Sequence, residues 1–384
     1  MNTADLRIAL FSGNYNYVRD GANQALNRLV EYLLRQGAAV RVYSPKVENP
    51  AFEPTGDLVG LPNIPIPGRA EYRATLALSP RVRADLKKFA PNIVHVASPD
   101  LASHRAVTWA RKRKLPILAS VHTRFETYPR YYNMAWLEPI IEKGLHRFYN
   151  RCNALVAPSP SMADVLREQG MSDDIGIWSR GVDREIFNSN RRDMAWRRSH
   201  GIADHEFAIG FLGRLVMEKG LDVFADTMRV LRERGLAHKV LVIGEGPARE
   251  WFESHIADGT FLGHQQGADL GRAVAGMDTL FNPSITETFG NVTLEAMACG
   301  QPIVAARATG SDSLVQDHIT GRLITPGDAE GFAEAIARYI QDPQLRKEHG
   351  AAGEARSLEF SWDRINKTVA DTYLRLIEAN APQG

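Results

Sequence analysis

Only two cysteines, Cys152 and Cys299, occur in 384 residues, and they stand too far apart to form a redox pair or half of a zinc site. A disulfide framework is excluded as the source of stability, and a reducing compartment is expected. No stretch approaches the run of about eighteen apolar residues that a membrane-spanning helix needs. The apolar start at residues 6–11 is too short for a secretory core and lacks a cleavage pattern, so a cytoplasmic protein is expected. Net charge is only +1, and no nucleic-acid module is legible, which disfavours a nucleic-acid partner. No Asp-x-Asp pair occurs, Asp173 and Asp174 sit in loop-like text, and the eleven histidines show no ligand spacing. Neither a metal nor another cofactor is therefore expected.

The chain does hold an order of strand, loop and helix that recurs throughout, which predicts an α/β fold of parallel sheets with helices on both faces. Short apolar runs at 6–12, 40–43, 93–96, 117–121 and 155–157 read as buried strands, and 23–35 carries helical spacing ended by Gly37. Around 181–206 the pattern dissolves into polar, charge-rich text that reads as a linker. A second set of strands then begins at 208–212, 240–243, 260–262, 279–281, 303–305 and 323–325, without repeating the first set in sequence. Helical patterns at 329–340 and 362–378 close the chain. An apolar fraction of 44% suits two sizeable cores.

Two elements of the second half carry chemistry. In the first, Ser284-Ile-Thr-Glu287-Thr-Phe289-Gly290-Asn291-Val292-Thr-Leu-Glu295, two carboxylates flank a Gly-Asn turn at a strand-to-helix junction. The amides of Gly290, Asn291 and Val292 then face whatever lies above the strand's carboxyl end, a place for an anion or a hydroxyl array. Glu287 suits sugar hydroxyls and Glu295 a vicinal diol, although a single Glu more often sits on a solvated helix face. In the second element, Phe211-Leu-Gly213-Arg214-Leu-Val-Met-Glu-Lys219-Gly220, a strand ends in glycine and is followed by two cations five residues apart, a fork and a point charge suited to a diphosphate. Gly244, Gly246 and Gly263 end two further strands and permit close approach of backbone to a nucleotide, the alternative being ordinary turn glycines. Arg249 occupies the third position of a dinucleotide fingerprint, which disfavours nicotinamide binding.

With both elements on the page, the chain resembles the retaining nucleotide-sugar glycosyltransferases of family four, the large group built from two Rossmann-like domains facing across a cleft (GT-B). The spacing of Glu287 and Glu295 is similar to the family's donor motif, and Gly213, Arg214 and Lys219 to its diphosphate-binding residues. The likeness extends to the subgroup of sulfolipid synthases and GDP-mannose-dependent α-mannosyltransferases at three further places: His122-Thr123 followed by Tyr128–Tyr132, Arg180-Gly-Val-Asp183 with Phe187, and Glu287–Asn291. It implies an acceptor domain over 1–187, a donor domain over 200–360, and a terminal helix, about 362–384, that crosses back to the first domain.

It further implies a hexosyltransferase that moves sugar from a UDP- or GDP-linked donor, such as GDP-mannose or a UDP-hexose or uronic acid, to a lipid or lipid-linked glycan with retention and without a metal. Arg214, Lys219, His122 and Glu287 take catalytic roles; Gly213, Gly244, Gly246, Gly263, Phe289, Gly290, Asn291, Val292 and Glu295 bind donor. Asp20, Gly21 and Tyr128 lie on the acceptor side, where Asp20-Gly21-Ala22 departs from the paired glycines usual in the family. Arg307 is a candidate reader of a uronic acid. A nucleotide-sugar epimerase, a glycan phosphorylase and a non-catalytic sugar-binding module remain as alternatives on the same fold. Residues 1–190 carry 25 basic against 18 acidic side chains and the remainder 21 against 27. The basic text at 81–88, 111–114 and 130–136 suits contact with an anionic membrane surface as well as a solvated helix face.

Overall fold

The computed structural model describes residues 1–18, 21–66, 69–122, 135–256, 258–287 and 289–381. Two compact units form, one of residues 1–179 with 362–384 and one of residues 180–361.

In the first unit the strands are β1 (Arg7–Phe11), β2 (Ala39–Pro45), β3 (Asp57–Leu61), β4 (Asn63–Ile66), β5 (Arg69–Thr75), β6 (Ile93–Val96), β7 (Ile117–Ser120), β8 (Ala154–Ala157) and β9 (Ile175–Ile177). Seven of them make a parallel sheet in the order β3-β2-β1-β6-β7-β8-β9, while β4 and β5 pair as a separate antiparallel hairpin. Helices α1 (Gly21–Arg35), α2 (Pro80–Phe89), α3 (Leu101–Arg111), α4 (Glu138–Tyr149) and α5 (Pro160–Glu168) connect these strands. The inner strands β6, β7 and β8 are buried at every residue, which is why they read as unbroken apolar runs. Ser79 and Pro80 start α2, and Ser159 and Pro160 start α5, each serine accepting a bond from a first-turn amide.

The second unit has α6 (Met194–Ser199), β10 (Ala208–Leu212), α7 (Leu221–Glu233), β11 (Lys239–Ile243), α8 (Arg249–His255), β12 (Gly259–Phe261), α9 (Gly267–Ala275), β13 (Thr279–Asn282), α10 (Asn291–Ala298), β14 (Ile303–Ala306), α11 (Thr309–Leu314), β15 (Gly321–Ile324), α12 (Ala329–Gln341) and α13 (Pro343–Ser357). Its six strands are parallel in the order β12-β11-β10-β13-β14-β15. Alternate strand residues go to opposite faces. Ile209, Phe211, Val242 and Phe281 pack with Phe224, Phe252 and Phe332 on one side, and Ala208, Leu241, Leu280 and Ile303 pack with Leu294 and Met297 on the other.

The terminal helix α14 (Trp362–Ala379) belongs to the first unit. Arg35 donates to Asp363 at 2.5 Å and Arg375 to Asp174 at 2.7 Å. Inside, Tyr373 bonds buried His95 at 2.6 Å, and Asn366 accepts from Trp178 and donates to the Arg28 carbonyl.

The polar text at 181–206 is not a free linker. It is packed on the second unit, which starts at Arg180 rather than at 200, and the first unit ends at Ser179 rather than at 187. Val182 donates to the Phe360 carbonyl at 3.1 Å, and Arg184 donates to Ser357 at 2.7 Å. Arg197 is wholly buried and donates to Asp278 at 3.0 Å, as does Arg192 at 2.7 Å. Charges in this stretch are thus internal bonds, which explains text that local pattern assigns to solvent.

Candidate functional site

In each sheet the strand order reverses once, between β1 and β6 and between β10 and β13, and such switch points are where open α/β sheets hold ligands. In the second unit both chemical motifs converge on this point. Gly213 to Lys219 follow β10, and Ser284 to Glu287 follow β13.

Lys219 Nζ donates to Glu287 Oε1 at 2.6 Å, and both side chains are about four-fifths covered. Thr286 Oγ1 donates to the Glu218 carbonyl at 3.4 Å, a second tie between the same loops. Arg214 is exposed and has no ionic partner among the described residues. Beyond the carboxylate, Gly290 precedes α10 at its N-cap position, where its φ of 94° is left-handed and no side chain caps the helix. The first-turn amides of Asn291 and Val292 are left without that partner, and the positive end of the helix dipole meets the loop. Glu295, one turn into α10, is half-buried. Burial and the repulsion of Glu287 push its carboxyl up to about 8, so at neutral pH it holds a proton and can donate as well as accept.

The glycines beside this site have a reason that spacing alone did not give. A Cβ on Gly244 would lie 1.8 Å from the Gly213 carbonyl oxygen, and one on Gly246 would lie 2.2 Å from that of Leu215. Gly213 donates to the Ile243 carbonyl at 3.0 Å, Leu215 to that of Glu245 at 2.9 Å, and Gly244 to that of Gly263 at 2.9 Å. Three strand-end loops are stacked backbone on backbone, and the cation loop is fixed by main chain.

Phe289 is not positioned to meet a ligand with its ring. It is 4% exposed and packs edge-on against Phe360 at 5.9 Å, an anchor for the turn from below. Arg307 is engaged by Asp317 at 2.8 Å and Asp312 at 3.6 Å, which removes it as a ready uronic acid reader. Gly310, which sequence reasoning missed, donates to the Glu287 carbonyl at 2.9 Å, and a Cβ there would stand 2.9 Å from that oxygen. Its only sequence signal is a glycine four residues past a buried strand.

In the first unit His122 follows β7, as the apolar run suggests. Its Nε2 bonds Ser120 Oγ at 2.9 Å, and its ring stands edge-on to Trp178 at 5.2 Å. At the β1 switch point Gly13 donates to Ser98 Oγ at 2.8 Å, and Tyr17 donates to the Gly13 carbonyl at 2.7 Å. Gly21 is the first residue of α1. Asp20 and Tyr128 lie outside the described residues, as do Thr123 and residues 130–134 of the aromatic and basic text. Among the described residues no cluster of three His, Cys, Asp or Glu side chains is arranged to hold a metal ion, and no helix is long and apolar enough to cross a membrane.

Taken together, the second unit offers a fork-shaped cation, an ammonium shared with a carboxylate, helix amides and a neutral carboxyl around one strand-end site, a set suited to a diphosphate linked to polyhydroxylated groups.

Comparison with known proteins agrees. Residues 19–186 match the family described as Glycosyltransferase Family 4, and residues 206–342 match Glycosyl transferases group 1. The chain is 30% identical over 367 residues to sulfoquinovosyl transferase SQD2 of Arabidopsis thaliana, covering 93% of this chain and 71% of that protein. It is 27% identical over 380 residues to a GDP-mannose-dependent alpha-mannosyltransferase of Corynebacterium glutamicum, covering 97% and 89%. Sucrose-phosphate synthase from Thermosynechococcus elongatus superimposes with a TM-score of 0.78 at 21% identity, covering 97% of this chain and 99% of that one. The chain is a glycosyltransferase of family 4, with the two parallel-sheet domains of the GT-B fold.

Proposed function

We propose that this enzyme transfers a hexosyl unit, with retention of anomeric configuration, from a nucleoside diphosphate sugar (UDP- or GDP-linked) to a hydroxyl of a lipid or lipid-linked glycan. The observation that carries the donor half is Arg214, without an ionic partner among the described residues, beside the Lys219–Glu287 pair, all at one switch point. A diphosphate entering there takes the guanidinium outright and draws the ammonium from Glu287, and that carboxylate is released toward sugar hydroxyls. Glu295, protonated near neutral pH, donates to one hydroxyl of a ribose diol and accepts from the other.

As the bond from the anomeric carbon to phosphate oxygen breaks, the diphosphate gains negative charge, which Arg214, Lys219 and the α10 amides stabilise. The acceptor oxygen bonds the same face of that carbon and passes its proton to the departing phosphate oxygen. No side-chain nucleophile takes part, and the cations supply the charge that other transferases obtain from a divalent ion. His122 of the first unit contacts the sugar or the acceptor. The lipid class of acceptor follows from the sequence resemblance to sulfolipid synthases given above, and the enzyme then works at a cytoplasmic membrane surface.

A panel of UDP-, GDP- and ADP-sugars with lipid acceptors tests this, with the product anomer read by NMR and EDTA present throughout. An inverted product removes the mechanism, and activity lost to EDTA and restored by magnesium removes the metal-free clamp. Conversion of donor without acceptor would identify an epimerase, and consumption driven by inorganic phosphate a phosphorylase.

A further inference from the structure

Two buried side chains link the terminal helix to His122 within the first unit. Trp178, 1% exposed, follows β9, and its amide donates to the Ala157 carbonyl of β8 at 2.7 Å. The indole lies between two imidazoles, edge-on to His122 at 5.2 Å and to His95 at 6.1 Å. Burial pushes the pKa of the His95 ring down to about 3, so at neutral pH it gives the indole a surface and no charge.

Asn366 and Tyr373 are both buried and stand two turns apart on α14, hence on one face of it. Tyr373 bonds His95 Nδ1 at 2.6 Å, and Asn366 Oδ1 accepts from Trp178 Nε1 at 3.3 Å. The Asn366 amide also donates to the Arg28 carbonyl of α1 at 3.1 Å, so it is fixed at both of its polar atoms. On the other side of the indole, His122 Nε2 is bonded to Ser120 Oγ at 2.9 Å.

Buried polar side chains give up water, and apolar ones of similar size would pack α14 on the sheet at less cost. What the bonded set gains is orientation. An indole in an apolar socket can turn over within it, whereas one whose N–H meets a fixed carbonyl oxygen keeps a single pose. The imidazole edge-on to that indole is then held twice, at Nε2 by the hydroxyl and along the ring by Trp178. A group that must meet a substrate atom gains most from being fixed in this way, since small misplacements are costly in rate.

We propose that Trp178 and Asn366 are positioning residues for His122: Asn366 sets the indole through its N–H, and the indole sets the plane of the imidazole. The last helix of the chain thereby takes part in the reaction without touching substrate. The inference rests on the reading of His122 as a contact of the sugar or the acceptor.

Two variants test it, Asn366→Leu, which keeps the volume and removes the acceptor, and Trp178→Phe, which keeps a ring and removes the donor. NMR of protein carrying isotope-labelled histidine reads the His122 ring directly, its signal assigned by loss in His122→Ala. Both variants should shift and broaden that signal and leave that of exposed His205 unchanged. In turnover, each should lower kcat by about 10–10² with the donor KM unchanged, and Asn366→Leu should add nothing to the loss already caused by His122→Ala. Rates are read where melts show each variant folded, and Trp178→Phe decides alone should Asn366→Leu not fold. An unmoved His122 signal overturns the proposal, as does a loss that multiplies in full on top of His122→Ala. Near-normal turnover of His122→Ala overturns the reading of His122 itself and with it the role given to the pair, whereas loss in His122→Ala without loss in either variant overturns the pair alone. Slow hydrolysis of donor without acceptor is followed in parallel: its absence in the wild type counts against the transfer reading and leaves the ring signal to judge the pair.

Discussion

After β1 the first unit fastens its loop with side chains, whereas after β10 the second unit fastens the equivalent loop with backbone. In the first, Asn27 donates to the Tyr15 and Asn23 carbonyls and accepts from the Thr55 amide, and Asn16 and Asn23 bond the carbonyls of Phe52 and Val18. In the second, Gly244 and Gly246 let the carbonyls of Gly213 and Leu215 lie against their Cα atoms, and amide-to-carbonyl bonds of Gly213, Leu215 and Gly244 tie the three loops together. A loop held by its main chain keeps its side chains for a ligand, and Arg214 and Lys219 stay at the site. A loop held by its side chains has spent them. The main-chain arrangement suits a site that must hold a fixed group such as a diphosphate with its side chains.

The sharpest way to break this contrast is Arg214→Ala. Because the guanidinium has no ionic partner among the described residues, its loss should leave the melting temperature unchanged while turnover drops by about 10²–10³, the usual cost of removing a group aimed at developing charge. Steady-state rates with saturating donor check this, and a near-normal rate removes Arg214 from the clamp. Next in size is Gly246→Ala, whose methyl group would meet the Leu215 carbonyl. The second unit should lose about 1–3 kcal/mol, with turnover falling because Arg214 moves with its loop. The matching change in the first unit, Asn27→Ala, removes three hydrogen bonds from a buried site and should cost about 1–3 kcal/mol while leaving donor-only hydrolysis intact. If both variants lowered donor-only hydrolysis equally, the two loops would not differ in the way described.

Much of this was legible in residues and their spacing, and what was not has a common cause. Strands buried on both faces, such as β6 and β8, announce themselves as apolar runs, and Gly290 before Asn291 marks a helix start. Edge elements do not: β3 is largely uncovered, and the β4–β5 hairpin mixes isoleucine with proline and arginine, so neither carries a buried-strand pattern. Partners distant in sequence were equally silent. Arg197 looks like linker charge until Asp278 is beside it, Phe289 looks ligand-facing until Phe360 covers it, and Gly310 looks ordinary until it lies on the Glu287 carbonyl. Spacing reveals which residues share an element. Only the folded register reveals which elements share a bond.

Glu295 offers the gentlest test of the same contrast, because burial within the donor-side unit pushes its carboxyl up to about 8. Its value in the folded protein, about 8, lies above the 4.5 of an ordinary glutamate, with burial the larger cause and Glu287 the smaller. The folded state therefore keeps a proton that the unfolded chain has already released. That contribution to stability is complete below pH about 4.5, declines as pH rises and is gone once pH passes about 8. Glu295→Gln copies the protonated shape and cannot titrate, so the variant should match the wild type below pH about 4.5, melt at progressively higher temperature than the wild type as pH rises to about 8, and keep a constant lead above that. Melts of both proteins across that range decide it. A difference that stays constant between pH about 4.5 and about 8 would mean that the carboxyl is ionised in the fold, and the diol would then meet an acceptor alone.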